Sequence, residues 1–255
     1  MKVKFLGTAG GRLVTFRLIR RSGGFLVSKN GSYLHVDPGP GAFVYLKELG
    51  IDYRNIDLIV LSHLHLDHSA DLNTLIEAAT DGGKFKNVSL FAPRTAIEGE
   101  DRVLLPYLRK RLVKEEFLEE GKEFSYKDWK VRAVIRHKHH RTETYGLLIN
   151  DEIIYVSCAG FEERMLEMYP RSKSLMIINA TLYKRKPNVE HLSIEDAEIL
   201  IKELKPKRAV ITHYSMEILE RNPDNVAKEL SEKTGVEVIA AKEGLELEVS
   251  LNSTL

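Results

Sequence analysis

The densest chemistry in the chain lies in Ser62-His63-Leu64-His65-Leu66-Asp67-His68, which holds three of only nine histidines. It follows the apolar run 56–62, which reads as a short strand. Imidazoles two residues apart at a strand end point the same way, because strand side chains repeat every two residues. The chain then turns, so Asp67 and His68 approach from another direction. Four side chains of types that suit Zn or a similar divalent ion thus fall within six residues. The interleaved Leu64 and Leu66 argue against a merely solvated polar loop.

Other groups that could do chemistry end apolar runs further along. Cys158 follows 153–156, His213 follows 209–212, and His137, His139 and His140 lie between apolar runs 130–135 and 145–149. His191 stands just before Ser193-Ile194-Glu195-Asp196, a Ser N-cap with acidic residues in the first helical turn.

These residues need strands to hold them. We expect strands at 2–6, 24–28, 33–37, 56–62, 130–135, 145–149, 153–156, 175–178 and 209–212. Helices are expected at 42–49, 70–80 and 193–204, and turns at 9–11 and at Asp37-Pro38-Gly39-Pro40-Gly41. Segment 95–122 is charged and reads as helical, either an outer helix or a flap. It could lie over the site or at a subunit interface, which leaves a homodimer open. Strands dominate early and strand–helix alternation takes over late, so the fold class is α/β, a sheet-rich sandwich with helices outside. No repeat, low-complexity tract or linker divides the chain, so 1–255 is expected to be one domain.

Composition narrows the function classes. With 43% hydrophobic and 29% charged residues, the chain is neither disordered nor a membrane protein. A net charge of +1 gives no broad footprint for RNA or anionic lipid. The opening residues lack a signal peptide's apolar core, and one Cys builds no internal disulfide, so a cytoplasmic protein is expected. Gln is absent while Lys, Glu and Ile abound, a bias expected of a high-temperature source.

His63-x-His65-x-Asp67-His68 resembles the signature of the metallo-β-lactamase-fold hydrolases. Leu6-Gly7-Thr8-Ala9-Gly10, Val36-Asp37-Pro38-Gly39 and Thr212-His213 agree with it. The resemblance spans about residues 2–215 and implies a four-layer αββα sandwich with a two-metal site at one edge of its sheets. It assigns His63, His65 and His140 to one ion, with His137 and His139 as rivals of His140 for the third place. Asp67, His68 and His213 go to the other ion. Cys158 stands where the family usually has a bridging Asp. It is either a thiolate ligand, which would favour Zn over Mg or Mn, or a buried apolar Cys. Asp37 is either an acceptor for a ligand His N–H or a turn former ahead of Pro38.

The implied cofactor is zinc, as two ions, with Mn or Fe as substitutes. Two such ions about 3.5–4 Å apart share a water and supply hydroxide near neutral pH, with Asp67 also orienting the nucleophile. Glu190-His191-Leu192-Ser193 resembles the His-Ser/Thr segment of the phosphodiesterase branch, which includes the tRNA 3′-processing endonucleases, and implies that His191 protonates the leaving oxygen. Arg136, Lys138, Arg141 and the run Lys184-Arg185-Lys186 either clamp a phosphate or form a solvated face. The expected function is metal-dependent phosphodiester hydrolysis of a small molecule or nucleotide. RNA ranks below these, because no Gly/Pro-rich arm is present to grip tRNA. A lactone, thioester or other carbonyl ester is the alternative substrate, and a non-catalytic zinc-binding module the third reading.

Overall fold

The computed structural model describes residues 1–250. Six strands come first: β1 (Lys2–Phe5), β2 (Phe25–Lys29), β3 (Ser32–Val36), β4 (Ile56–Val60), β5 (Ser89–Ala92) and β6 (Glu115–Phe117). Eight more build a second sheet: β7 (Glu123–Tyr126), β8 (Trp129–His137), β9 (Thr144–Ile149), β10 (Ile153–Val156), β11 (Leu175–Leu182), β12 (Leu192–Ser193), β13 (Arg208–Thr212) and β14 (Glu237–Ala240). The last strand, β15 (Glu246–Glu248), returns to the first sheet, whose order is β15-β1-β2-β3-β4-β5-β6. The second sheet runs β14-β13-β11-β10-β9-β8-β7, with β12 paired to β11.

Strand periodicity sorts the apolar side chains into layers. Leu58 and Val60 of β4 and Leu175 and Ile177 of β11 share the core between the sheets. Ile59, and Ile56 across a register shift against β3, face outward onto Leu72, Leu75, Ile76 and Ala79, the apolar stripe of the helix Leu72–Ala79. Met176 and Ile178 face the other way, onto Leu200, Ile201 and Leu204 of the helix Ile194–Leu204. That gives helix, sheet, sheet, helix, the expected four-layer sandwich. The Ser193 N-cap is present as a full capping box with Asp196. No helix among the described residues is long and apolar enough to cross a membrane.

Strands β5, β7, β12, β14 and β15 and the helix Pro223–Thr234 lie outside the expected elements, and two expected segments take another form. Segment 95–122 is not one helix but two short ones, Arg94–Glu98 and Pro106–Arg109, followed by the edge strand β6. Gly99 follows the first helix directly and Pro106 opens the second, a position that proline tolerates because it lacks an N–H. Arg109 ties the pieces together by ion pairs to Glu98 at 2.9 Å and Glu115 at 2.6 Å. Conversely, the turn read at 9–11 leads straight into a helix, Gly11–Phe16.

The parallel pairs β3–β4, β10–β11 and β11–β13 bring several carboxyl ends to one edge of the sandwich. There the sheets are stitched together. Tyr214 N–H donates to Thr8 O at 2.8 Å, and Gly10 N–H donates to Tyr214 O at 2.9 Å. A Cβ on Gly10 would strike the His213 backbone, and one on Gly39 would strike the Asp67 carbonyl, so glycine lets these loops close.

Candidate metal centre

Asp37, just past β3, sits at φ 53° with its carboxylate buried. Oδ1 accepts from Ser62 N–H at 2.6 Å. Oδ2 accepts from Ser62 Oγ–H at 2.7 Å, His68 Nδ1–H at 3.0 Å and the Tyr155 hydroxyl at 2.8 Å. Burial, then the charge of Asp37, pushes the Tyr155 pKa well above its ordinary value, so Tyr155 stays a donor. Asp37 is therefore an acceptor for a candidate ligand histidine, and the αL turn comes with it.

Proton placement follows from this hub. Ser62 gives its only proton to Asp37, so His63 Nδ1–H donates to Ser62 Oγ at 2.9 Å. His63 Nε2 is left buried without a partner. His139 donates Nδ1–H to the Glu190 carbonyl at 2.8 Å, which leaves its Nε2 bare, 3.2 Å from His65 Nδ1. His65 meets Thr142 Oγ1 at 3.2 Å through its other nitrogen, Nε2. Burial lowers the pKa of all three, for His139 to about 4, so they are neutral imidazoles.

A second triad lies beside the first. His68 Nε2 and His213 Nε2 are 3.2 Å apart, and Asp67 Oδ2 lies 3.5 Å from the former and 3.4 Å from the latter. His213 donates Nδ1–H to Thr181 Oγ1 at 2.8 Å. Cys158 Sγ is 3.5 Å from each of these Nε2 atoms and accepts from Asn179 Nδ2 at 3.4 Å. Burial opposes charge on His213, but the Cys158 thiolate and Asp67 prevail and raise its pKa to about 9. Burial likewise opposes ionisation of Cys158, yet His213 and His68 bring it well below the usual thiol value. Burial works against the Asp67 carboxylate too, and His68 and His213 still hold its pKa well below normal.

These donor sets fit divalent ions. His63 Nε2, His65 Nδ1 and His139 Nε2 converge, as do Asp67, His68 and His213, each set within 4.8 Å. Cys158 groups with His63 and His68 and also with His213, so it lies between the two sets. Nitrogens about 2.0–2.1 Å from a tetrahedral zinc stand about 3.3 Å from one another, close to the 3.2 Å separations found here. Outward nitrogens bonded to carboxylate, hydroxyl or carbonyl are the usual support for metal-binding histidines.

His140 departs from expectation. It is exposed, with φ 44°, and the following Arg141 has φ 59°. Two successive left-handed residues turn the chain so that His139, not His140, faces His63 and His65. Its backbone is anchored, the N–H on the Glu190 carboxylate and the carbonyl by the Thr142 hydroxyl at 3.4 Å, and its ring groups with His139 and His191 at the rim. His137 is buried elsewhere, 2.8 Å from the Tyr169 hydroxyl. His191 joins the cluster at its mouth, its Nδ1 3.4 Å from Thr181 Oγ1.

Three of the six basic rim residues are already paired. Arg185 pairs with Asp196, Lys186 with Glu217 at 3.2 Å, and Lys138 approaches Glu190 at 3.7 Å. The supporting groups Ser62, Tyr155, Asn179, Thr181 and Thr142 had no signal in the sequence, since they reach the site from several strands and loops, Asn179 and Thr181 together from β11.

Comparison with known proteins agrees with this architecture. The profile of the family described as "Beta-lactamase superfamily domain" matches residues 33–214. The uncharacterized protein MJ1374 of Methanocaldococcus jannaschii is 30% identical over 98% of this chain and 95% of its own length. A ribonuclease Z of Clostridium botulinum is 30% identical over 40% of this chain, and the match spans 32% of that enzyme. Among solved structures, a diphosphatase from the PhnP family superposes with a TM-score of 0.73 at 21% identity, covering 98% of each chain. With two stacked sheets and an edge of converging imidazole, carboxylate and thiol groups, the chain belongs to the metallo-β-lactamase superfamily of hydrolases.

Proposed function

We propose that the protein is a zinc-dependent phosphodiesterase. His63, His65 and His139 hold one ion, Asp67, His68 and His213 a second, and the Cys158 thiolate lies between them. The observation that carries this reading is the direction of the imidazoles. Each outward nitrogen is hydrogen-bonded, and each inward one faces other ligand atoms. Two divalent ions in such a site supply hydroxide at neutral pH and neutralise charge on phosphoryl oxygens.

The protein's own groups do the rest. Asp67 orients the nucleophile with the carboxylate oxygen not turned to His68 and His213. Thr181 links His213 to His191. Its oxygen accepts the His213 Nδ1 proton and, through its second lone pair, the Nδ1 proton of the His191 imidazolium. His191 then passes its Nε2 proton to the leaving oxygen and remains a neutral imidazole. This proton donor at the cluster's mouth favours a phosphodiester over a carbonyl substrate, as does similarity to a ribonuclease and a diphosphatase.

The test is hydrolysis of bis(4-nitrophenyl) phosphate by metal-stripped protein with Zn or Mn restored and a chelator control. Metal-dependent turnover supports the reading. Protein with zinc bound and no turnover of the diester, but turnover of a lactone or thioester, would replace it.

A further inference from the structure

The cluster opens into a cleft of about 700 Å³, which falls within the range of about 300–1,000 Å³ common for small-molecule sites. That is far more room than a bare phosphate needs. One wall is the helix Gly11–Phe16, which contributes Arg12, Thr15 and Phe16, and Leu66 lines the same cleft. Phe16 is 62% exposed, the most exposed aromatic among the described residues, and Leu66 is 59% exposed. Arg12 makes no ion pair or side-chain hydrogen bond among the described residues. By contrast, Arg20 and Arg21 on the loop beyond the helix pair with Glu243 and Glu48, each at 3.0 Å. An uncommitted guanidinium and two apolar side chains left in water thus border the reaction centre.

We propose that this wall selects a nucleotide. Phe16 and Leu66 take the flat face of a base, and Arg12 takes a phosphate oxygen by charge-assisted hydrogen bonds. This rests on the phosphodiesterase reading and adds to it the part of the substrate that is not hydrolysed. A nucleobase suits the site because stacking on an aromatic ring needs no directional partner, and the wall offers no other unpaired polar side chain beyond Thr15. Leu13, Leu18 and Ile19 continue the apolar strip outside the cleft, so a second copy of the chain is the competing occupant.

Calorimetric titration of the zinc-loaded full chain with AMP and with methyl phosphate separates these. Wild type is expected to bind AMP at least about tenfold more tightly than methyl phosphate. Phe16→Ala is expected to bring the two affinities within about twofold, and Arg12→Ala to weaken both ligands about tenfold. Leu18→Ala, outside the cleft, keeps the preference. Equal affinities in wild type, or a preference that survives Phe16→Ala, would overturn the proposal. So would a Phe16→Ala protein that changes only its sedimentation mass. Failure of the phosphodiesterase reading shows separately, as absence of metal-dependent diester turnover whatever the titration gives.

Discussion

The two triads lie side by side and share residue types, yet they hold their protons in opposite ways. His63, His65 and His139 are neutral imidazoles whose pKa values burial pushes down, and their outward protons go to Ser62, Thr142 and a backbone carbonyl. Asp67, His68, His213 and Cys158 form a set in which buried anions draw protons onto the two histidines. The first triad is a preformed set of lone pairs. The second is a set of charges that protons balance until something more strongly positive replaces them. Asp37 joins the halves, through Ser62 on one side and directly to His68 on the other. A site built this way binds ions tightly on the second side only by expelling protons.

The comparison can be broken at several points, and the largest effect is expected in the neutral half. His63→Ala should remove one ion and cut diester turnover by at least about 10³-fold, read by zinc content and kcat/KM. Retention of both ions would contradict the assignment of that triad. His191→Ala touches neither half as a ligand, so it should keep both ions while lowering kcat by about 10²–10⁴-fold on a diester with an alkoxide leaving group. A much smaller loss on bis(4-nitrophenyl) phosphate, whose leaving group needs no proton, identifies the lost step as proton delivery. Asp37→Ala strikes both halves at once. Metal affinity should fall about 10–100-fold, and urea unfolding should register a loss of about 3–5 kcal/mol, because His68 loses its buried partner.

The smallest effect sharpens the contrast through pH. In the metal-free protein the His213 pKa is raised to about 9, above its value in the unfolded chain. Its stabilising contribution is therefore fully present below pH ~6.5 and disappears as pH rises through about 9. The zinc-loaded protein has no such proton to lose. The Tm gap between loaded and metal-free protein should thus widen from pH 6.5 to 9, and scanning calorimetry at both ends measures it. A gap that narrows over this range would contradict the charge-balanced second half.

Much of this was legible because chemistry and periodicity coincide at strand ends. His63 and His65 could be placed from the i, i+2 spacing after an apolar strand, and Ser193 announced its helix through its acidic neighbours. The third histidine was not legible. His139 and His140 are identical in type and adjacent, and the choice between them depends on consecutive left-handed residues at 140 and 141, which nothing local demands of His or Arg. Segment 95–122 misled for a different reason. Its charges suggested a solvated helix, whereas they serve as ion pairs that hold short pieces against the sheet edge. Phe16 escaped notice because Gly10 and Gly11 read as a turn, while only Gly10 is pressed against His213 and Gly11 already begins the helix.

The most direct test of the central claim counts zinc by native mass spectrometry in wild type, His139→Ala and His140→Ala. The geometry predicts two ions in wild type and in His140→Ala, and one in His139→Ala. Loss of an ion from His140→Ala with both retained in His139→Ala would contradict the triad as built here.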